Sequence, residues 1–121
     1  MAFAVIPISS DQTDESGVIR TCNRTFLNAT ASGNTQIVAA QGAGLRIRLL
    51  AANVTSGTAL TIKFQSATTD ICSGKPVAAN GGWIAPYAPV GWFQTTANEA
   101  LNVNLSGAGT VGVDIIWIQA G

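Results

Sequence analysis

Side chains that could carry out chemistry are few in this chain of 121 residues. The sequence has no histidine, which removes the most common general base and the Ser-His and Cys-His pairs of nucleophilic enzymes. The acidic residues Asp70, Glu99 and Asp114 are far apart in sequence, so nothing places two carboxylates across one cleft, as a glycosidase needs. We therefore expect that the protein is not an enzyme and that it holds no cofactor.

Neither the acidic residues nor the cysteines have the spacing of metal ligands. Asp11, Asp14 and Glu15 do not match the calcium-loop pattern D-x-[DN]-x-[DN]-G, and a solvated turn explains them better. Cys22 and Cys72 are far apart and lack a C-x-x-C signature, so we expect no metal site. A disulfide between them would stabilise the fold by about 4 kcal/mol, but the absence of a signal peptide favours reduced thiols.

Aromatic side chains are concentrated in residues 81–105, which hold Trp83, Trp92 and the only tyrosine. Pro86 and Pro89 lie between the two tryptophans and lack the N–H that a central strand or a helix interior requires. The sequence therefore predicts an ordered connection here. Aromatic rings are costly to leave in water, so they should be covered by the chain's own core, a neighbouring subunit or a ligand.

Two functions are open to this aromatic segment. Trp83, Tyr87, Trp92 and Phe93 could stack on sugar rings. They could equally fill the core or a subunit interface, where aromatic residues contribute much of the energy. We favour the core or an interface over glycan binding, because aromatic enrichment is typical of protein contacts in general.

The charge balance argues against several partners. The net charge is zero, whereas a nucleic-acid-binding protein would have a basic excess. No apolar run reaches the roughly 18 residues of a membrane helix, and the N-terminus has no basic region that would begin a secretory signal. Only 10% of residues are charged and 47% are apolar, which indicates a surface partly covered by other protein.

The arginines fall on strand faces in pairs. Alternation places Arg46 and Arg48 on one side of their strand, and Arg20 and Arg24 on one side of theirs. A solvated face is the simpler interpretation, and a patch that docks on an acidic protein surface is the sharper one. Asp114 lies among apolar residues, so it should face solvent or a subunit seam, or form a buried ion pair with Arg46 or Arg48.

Short alternating segments separated by Gly, Asn and Ser predict an all-β fold, an antiparallel β-sandwich or jelly roll of about eight short strands. Residues 45–54 and 59–66 should pair as a hairpin across a short Gly-containing turn. Residues 111–119, including Trp117, are apolar on both faces and should lie mid-sheet or at a subunit contact. Predicted strands cover 17–27, 35–40, 45–54, 59–66, 83–84, 100–105 and 111–119, with a loop at 67–80.

The chain is predicted to have two parts. Residues 1–16 should form an extended arm and a polar linker, the arm carrying Phe3, Val5 and Ile6, and residues 17–121 should form a single β-sandwich domain. The apolar segment 2–8 could be an edge strand or an arm on a neighbouring protein. We favour the arm, because no partner strand is adjacent in sequence.

A resemblance to a known family rests on the second half of the chain. It is carried by the segments G-W-F-Q-T at 91–95 and N-E-A-L-N-V-N-L-S at 98–106, followed by a Gly turn and an apolar final strand. Residues 45–121 resemble small β-sandwich proteins of tailed bacteriophages that decorate or cement the head, with related modules in fibres. The resemblance implies a homotrimer on the outer capsid, bound to the major capsid protein and made in the host cytoplasm. The alternative is a fibre or spike module that binds a cell-surface glycan.

On this hypothesis the interface residues are the apolar residues of the arm, the aromatic residues of the later segments and two arginines. They are Phe3, Val5, Ile6, Trp83, Tyr87, Trp92, Phe93, Trp117, Arg46 and Arg48. No catalytic, cofactor-binding or metal-binding residue is expected, nor any contact with nucleic acid or membrane.

Overall fold

Strands are the only regular secondary structure in the part of the chain that the computed structural model describes. It describes residues 4–13 and 19–121, with side chains from residue 20 onward. The described residues form eleven strands: β1 (Ala4–Thr13), β2 (Ile19–Ala29), β3 (Gly33–Val38), β4 (Arg46–Ser56), β5 (Leu60–Ser66), β6 (Thr69–Asp70), β7 (Lys75–Val77), β8 (Gly81–Ala85), β9 (Phe93–Gln94), β10 (Leu101–Leu105) and β11 (Val111–Ala120).

The strands form two antiparallel sheets. Sheet A has the order β1-β2-β11-β4-β8, and β9 also pairs with β4. Sheet B has the order β3-β10-β5-β6, and β7 also pairs with β5. From β2 to β5 each new strand joins the opposite sheet, and the last strand returns between β2 and β4, which is the connectivity of a jelly roll. The predicted all-β antiparallel sandwich is confirmed.

The core lies between the two sheets. Alternation on β10 and β11 turns Leu101, Val103 and Leu105 inward from sheet B, and Val113 and Ile115 inward from sheet A. At the centre lies the fully buried ring of Phe64, which packs edge-on against Trp83 and at a tilt against Phe93, with centroid distances of 5.8 and 5.4 Å. Burial of these side chains supplies the main driving force for joining the layers.

A bulge in β4 creates a second, smaller cluster. The β11–β4 register runs from Ile116↔Ala51 to Trp117↔Leu49 and so skips Leu50. Leu50 is thereby turned away from the main core and is buried with Cys22 and Ile118 on the outer side of sheet A. Cys72 lies in the connection after β6, and no disulfide joins it to Cys22, so the unbridged alternative that the sequence favoured holds.

The predicted hairpin between residues 45–54 and 59–66 is wrong. β4 lies in sheet A and β5 in sheet B, so the turn between them is a corner from one layer to the other. Ser56 closes this corner, because its Oγ donates to the Thr58 carbonyl at 2.6 Å and accepts from the Thr58 N–H. The Gly57 N–H donates to the Thr110 carbonyl, which ties the corner to the start of β11.

Two polar segments predicted as turn or loop contain strands. β1 extends through Thr13, so the solvated turn predicted around Asp11, Asp14 and Glu15 is wrong at Asp11, because backbone pairing to β2 does not require apolar side chains. Asp14 and Glu15 lie outside the described residues. The predicted loop at 67–80 contains β6 and β7, which share the outer edge of β5. Val5 and Ile6 pair through their backbones with Thr25 and Arg24, whereas Phe3 and residues 14–18 lie outside the described residues. The division into arm and domain stays a prediction.

Gly82 allows β8 to approach β4, because a Cβ at this position would collide with the Val54 carbonyl oxygen. We expect Gly82→Ala to destabilise the protein by about 1–3 kcal/mol, as β8 must shift away from β4. Gly107→Ala is the matched control, since a Cβ there meets nothing within 4 Å, and its effect should stay within about 0.5 kcal/mol. Urea unfolding of the two variants measures both values. Equal stability of the two would contradict the close β4–β8 packing.

Candidate interaction surface

Three of the aromatic residues singled out in the sequence are covered by the chain's own core. Trp117 is 4% exposed, and its indole Nε1 donates to Thr25 Oγ1 at 2.8 Å. Trp83 and Phe93 are partly buried against the main core, where both contact Phe64. The chain's own core, rather than a neighbouring subunit or a ligand, therefore covers most of the area of these three rings.

The proline-containing connection at residues 86–92 is ordered, as the sequence predicted. Its backbone is fixed to the bulged part of β4, because the Ala88 N–H donates to the Leu50 carbonyl at 2.9 Å and the Trp92 N–H to the Leu49 carbonyl at 2.8 Å. The Trp92 indole Nε1 donates to the Pro86 carbonyl at 2.7 Å and closes the loop on itself. The outer face of the Trp92 ring is left half-exposed.

A groove of about 270 Å³ lies on the outer side of sheet A, beside this connection. Ile84, Pro86 and Tyr87 form one wall, and Ala51 and Ile116 lie along the neighbouring strands. Ile84, Ala51 and Ile116 face outward, because the residues next to them on their strands, which are Ala85, Ala52 and Ile115, are buried. The groove is therefore an apolar depression made by one strand edge and the start of the proline loop. We refer to it below as the outer groove.

One ion pair lies at the rim of the outer groove. Arg24 Nη2 lies 3.7 Å from Asp114 Oδ1, both side chains are half-exposed, and the Arg24 guanidinium sits 5.4 Å from the centre of the Phe26 ring. An exposed pair of this length contributes little to stability. The predicted ion pair between Asp114 and Arg46 or Arg48 is wrong, because β11 places Ile118 opposite Arg48 and Ala120 opposite Arg46.

The two arginines of β4 have different surroundings. Arg48 is only 8% exposed, and its Nε and Nη2 both donate to Gln94 Oε1, at 3.2 and 3.0 Å. Its aliphatic stem packs under Gly91, where a Cβ would lie 2.6 Å from Arg48 Cγ. Arg46 is partly exposed near the start of the same strand. Arg48 thus supports the proline loop, and Arg46 is the more accessible cation.

Exposed large apolar side chains occur only on the sheet A side of the described residues 20–121. They lie on β2, on β8 and in the connection after β8, and they are Phe26 (38% exposed), Ile84 (70%), Tyr87 (48%), Val90 (82%) and Trp92 (50%). Among the predicted interface residues whose side chains the structure describes, Tyr87 and Trp92 therefore have the most accessible ring area. Phe26, Ile84 and Val90 were not predicted from the strand pattern, although their outward positions follow once the inward faces are known.

The outer side of sheet B is polar and hydrogen-bonded within itself. Asn102 Nδ2 donates to the Ala67 carbonyl and Asn104 Nδ2 to Asn34 Oδ1, both at 2.7 Å. Gln65 Nε2 donates to Asp70 Oδ1 at 2.6 Å, and this bond, followed by the one from Lys63, lowers the pKa of Asp70. An aspartate with a lowered pKa stabilises the fold at pH values above its ordinary titration range, and this contribution is lost as the pH falls through the folded-state pKa. This face is suited to water.

No cluster of three or more His, Cys, Asp or Glu side chains that could hold a metal ion occurs among the described residues. Within the same part of the chain, no helix is long and apolar enough to span a membrane. The described residues present a surface contrast, with an apolar groove on one layer and an amide-rich face on the other.

No family model matches this chain, and no curated protein matches it either. A solved structure similar to it is the crystal structure of a cupin 2 conserved barrel domain protein from Rhodopseudomonas palustris. That similarity has a TM-score of 0.32 and 11% identity, over 99% of this chain and 73% of that chain. At this level the likeness does not bear on function.

Replacing Trp92 and Trp117 by alanine separates a surface ring from a core ring. We expect Trp117→Ala to cost about 3–5 kcal/mol, because it leaves a cavity in the core. We expect Trp92→Ala to lower the free energy of unfolding by about 1–2 kcal/mol, because it removes one hydrogen bond and the buried half of the ring. Chemical unfolding of the monomer measures both. A Trp92→Ala loss as large as that of Trp117→Ala would show that the Trp92 ring belongs to the core.

Proposed function

We propose that this chain is a non-enzymatic structural protein of a tailed bacteriophage, which decorates or cements the outer capsid as a homotrimer bound to the major capsid protein. The observation that carries the proposal is the one-sided surface. Five large apolar side chains are exposed on the sheet A side of residues 20–121, and the outer side of sheet B is covered with amides. A shell protein needs such a contrast, because one side contacts protein and the other faces water.

The physical cost of the exposed groups supports a protein partner. Contiguous apolar surface on a soluble protein marks a contact site, and aromatic residues contribute most to such contacts. The chain has only six basic and six acidic residues, so few charges must lose their water when another protein covers it. The jelly roll itself occurs in capsid proteins, lectins and cupins, so the fold alone does not choose among these functions.

Absence of catalysis is part of the same proposal. The chain has no histidine, and among the described residues the half-exposed carboxylate of Asp114 at the outer groove is already close to Arg24. A general acid or base would need a carboxyl whose pKa is tuned toward neutral pH by burial or by a like charge. The groove supplies an apolar lining and one ion pair, which suits binding.

A glycan-binding fibre or spike module is the second candidate. It is favoured by the half-exposed ring of Tyr87 at a groove whose rim also has Arg24, Asn53 and Asp114. An aromatic face with nearby hydrogen-bonding groups can hold a sugar ring. The remaining lining consists of Ala51, Ala52, Ile84, Ala85, Pro86, Ile115 and Ile116, whose side chains offer a sugar hydroxyl no hydrogen-bond partner, and this favours a protein contact.

The two functions differ in copy number. Quantitative mass spectrometry of purified virions of the phage that encodes the chain should find it in numbers comparable to the major capsid protein. A glycan array probed with the isolated protein should show no binding. Few copies per virion together with glycan binding that Tyr87→Ala abolishes would contradict the capsid function and support the fibre module. Absence from virions would reject both.

A further inference from the structure

The proline loop ends in an apolar tip. The Gly91 N–H donates to the Ala88 carbonyl at 2.9 Å and closes a four-residue turn with Pro89 in its second position. Pro89 is preset for that position, and Gly91 has a φ of +87°, which glycine adopts without strain. The turn therefore presents Val90, 82% exposed, next to the half-exposed ring of Trp92. We call Val90 and Trp92 the loop tip.

The loop tip and the outer groove have complementary features. The groove is a concave surface of Ile84, Pro86 and Ile116, whereas the tip is the most exposed apolar feature of residues 20–121. The charges also correspond, because the base of the tip rests on β4 beside Arg48, with Arg46 two residues away on the same strand face. The groove rim carries the carboxylate of Asp114, whose ion pair with Arg24 is long at 3.7 Å.

We propose that copies of this chain join head to tail, with the loop tip of one copy seated in the outer groove of the next and Arg46 of the first copy facing Asp114 of the second. This inference rests on the proposed function for its trimer. A ring with three-fold symmetry requires a heterologous contact, in which two different patches of the same chain meet. The chain offers two such patches, the convex loop tip and the concave outer groove.

A second copy fits this surface better than a strongly charged partner. The net charge of the chain is zero, so copies do not repel one another at long range. The tip end carries the partly exposed Arg46, and the groove rim carries Asp114 beside Arg24, so the Asp114 carboxylate of one copy can also pair with Arg46 of the next. The amide-rich outer side of sheet B then remains facing water in the ring.

Two single substitutions test the contact. Ile84→Asp places a charge in the groove, and Val90→Asp places one on the tip; both side chains are mostly exposed, so the fold should be retained. We expect the wild type to sediment at three times the single-chain mass of 12.4 kDa, and each variant alone at the single-chain mass. Gln36→Asp, on an exposed position of sheet B, is the control and should leave the trimer intact.

Mixing the two variants gives the decisive result. The groove variant keeps its tip and the tip variant keeps its groove, so one intact contact remains, and the mixture should form a heterodimer of twice the single-chain mass. Thermal melting checks that each variant folds. If an aspartate variant does not fold, the serine variants Ile84→Ser and Val90→Ser replace the two aspartate variants in the same experiment.

Three outcomes would overturn the head-to-tail contact. They are a trimer that survives both substitutions, a mixture of folded variants that stays monomeric, and a wild type that is monomeric at micromolar concentration. The copy number in virions is measured separately, so the capsid function can stand when this contact fails. A trimer that dissociates and recombines as expected would also support the contact if the chain were absent from virions.

Discussion

The hydrogen-bonding demand of the second edge of β4 is the constraint on which the surface of this protein depends. One edge of β4 pairs with β11 along its whole length, and the other is shared by β8, β9 and the loop between them. Buried carbonyls must find donors, and the carbonyls of Leu45, Ile47, Leu49 and Leu50 find them in the N–H groups of Asn98, Thr95, Trp92 and Ala88. This part of the chain is therefore held by main-chain bonds, and its side chains are left available for contacts.

The bulge at Leu50 determines which side chains become available. Without it, strict alternation from Ala52 would turn Leu50 into the main core and Leu49 outward. With it, Leu49 enters the core, and Leu50 is buried with Cys22 and Ile118 on the other side of sheet A. The same side then carries a buried apolar cluster, the arginines of β4 and, beyond Ala51, the outer groove. The extra residue in β4 thus adds Leu50 and Ala51 to the apolar side chains on the outer side of sheet A.

The sequence predicted strand positions better than strand partners. The alternation of Leu60, Ile62 and Phe64 correctly indicated a strand, but a hairpin and a crossing between layers require the same alternation, so β4 and β5 were wrongly paired. For Asp114 the sequence left open a solvent-facing or seam-facing position and an ion pair with Arg46 or Arg48, since only the register reveals that Phe26 and Asn53 flank it and that Arg24 is the nearby cation. The alternation of apolar and polar residues indicates which face of the sheet a side chain lies on, whereas the pairing of the strands determines its neighbours.

The aromatic residues show where prediction from sequence ends. Trp117 shares its strand face with Val113 and Ile115. Its burial therefore follows from the alternation of side chains along a strand, once that face is known to point inward. Tyr87 and Trp92 lie in a loop that has no period, and the same composition is compatible with a buried or an exposed ring. Their exposure is decided by hydrogen bonds to β4 and by the turn at Ala88 to Gly91, which together hold the backbone against the sheet and turn the apolar side chains outward. A loop held in this way loses little conformational entropy when a partner covers it, because its order is already established in the single chain.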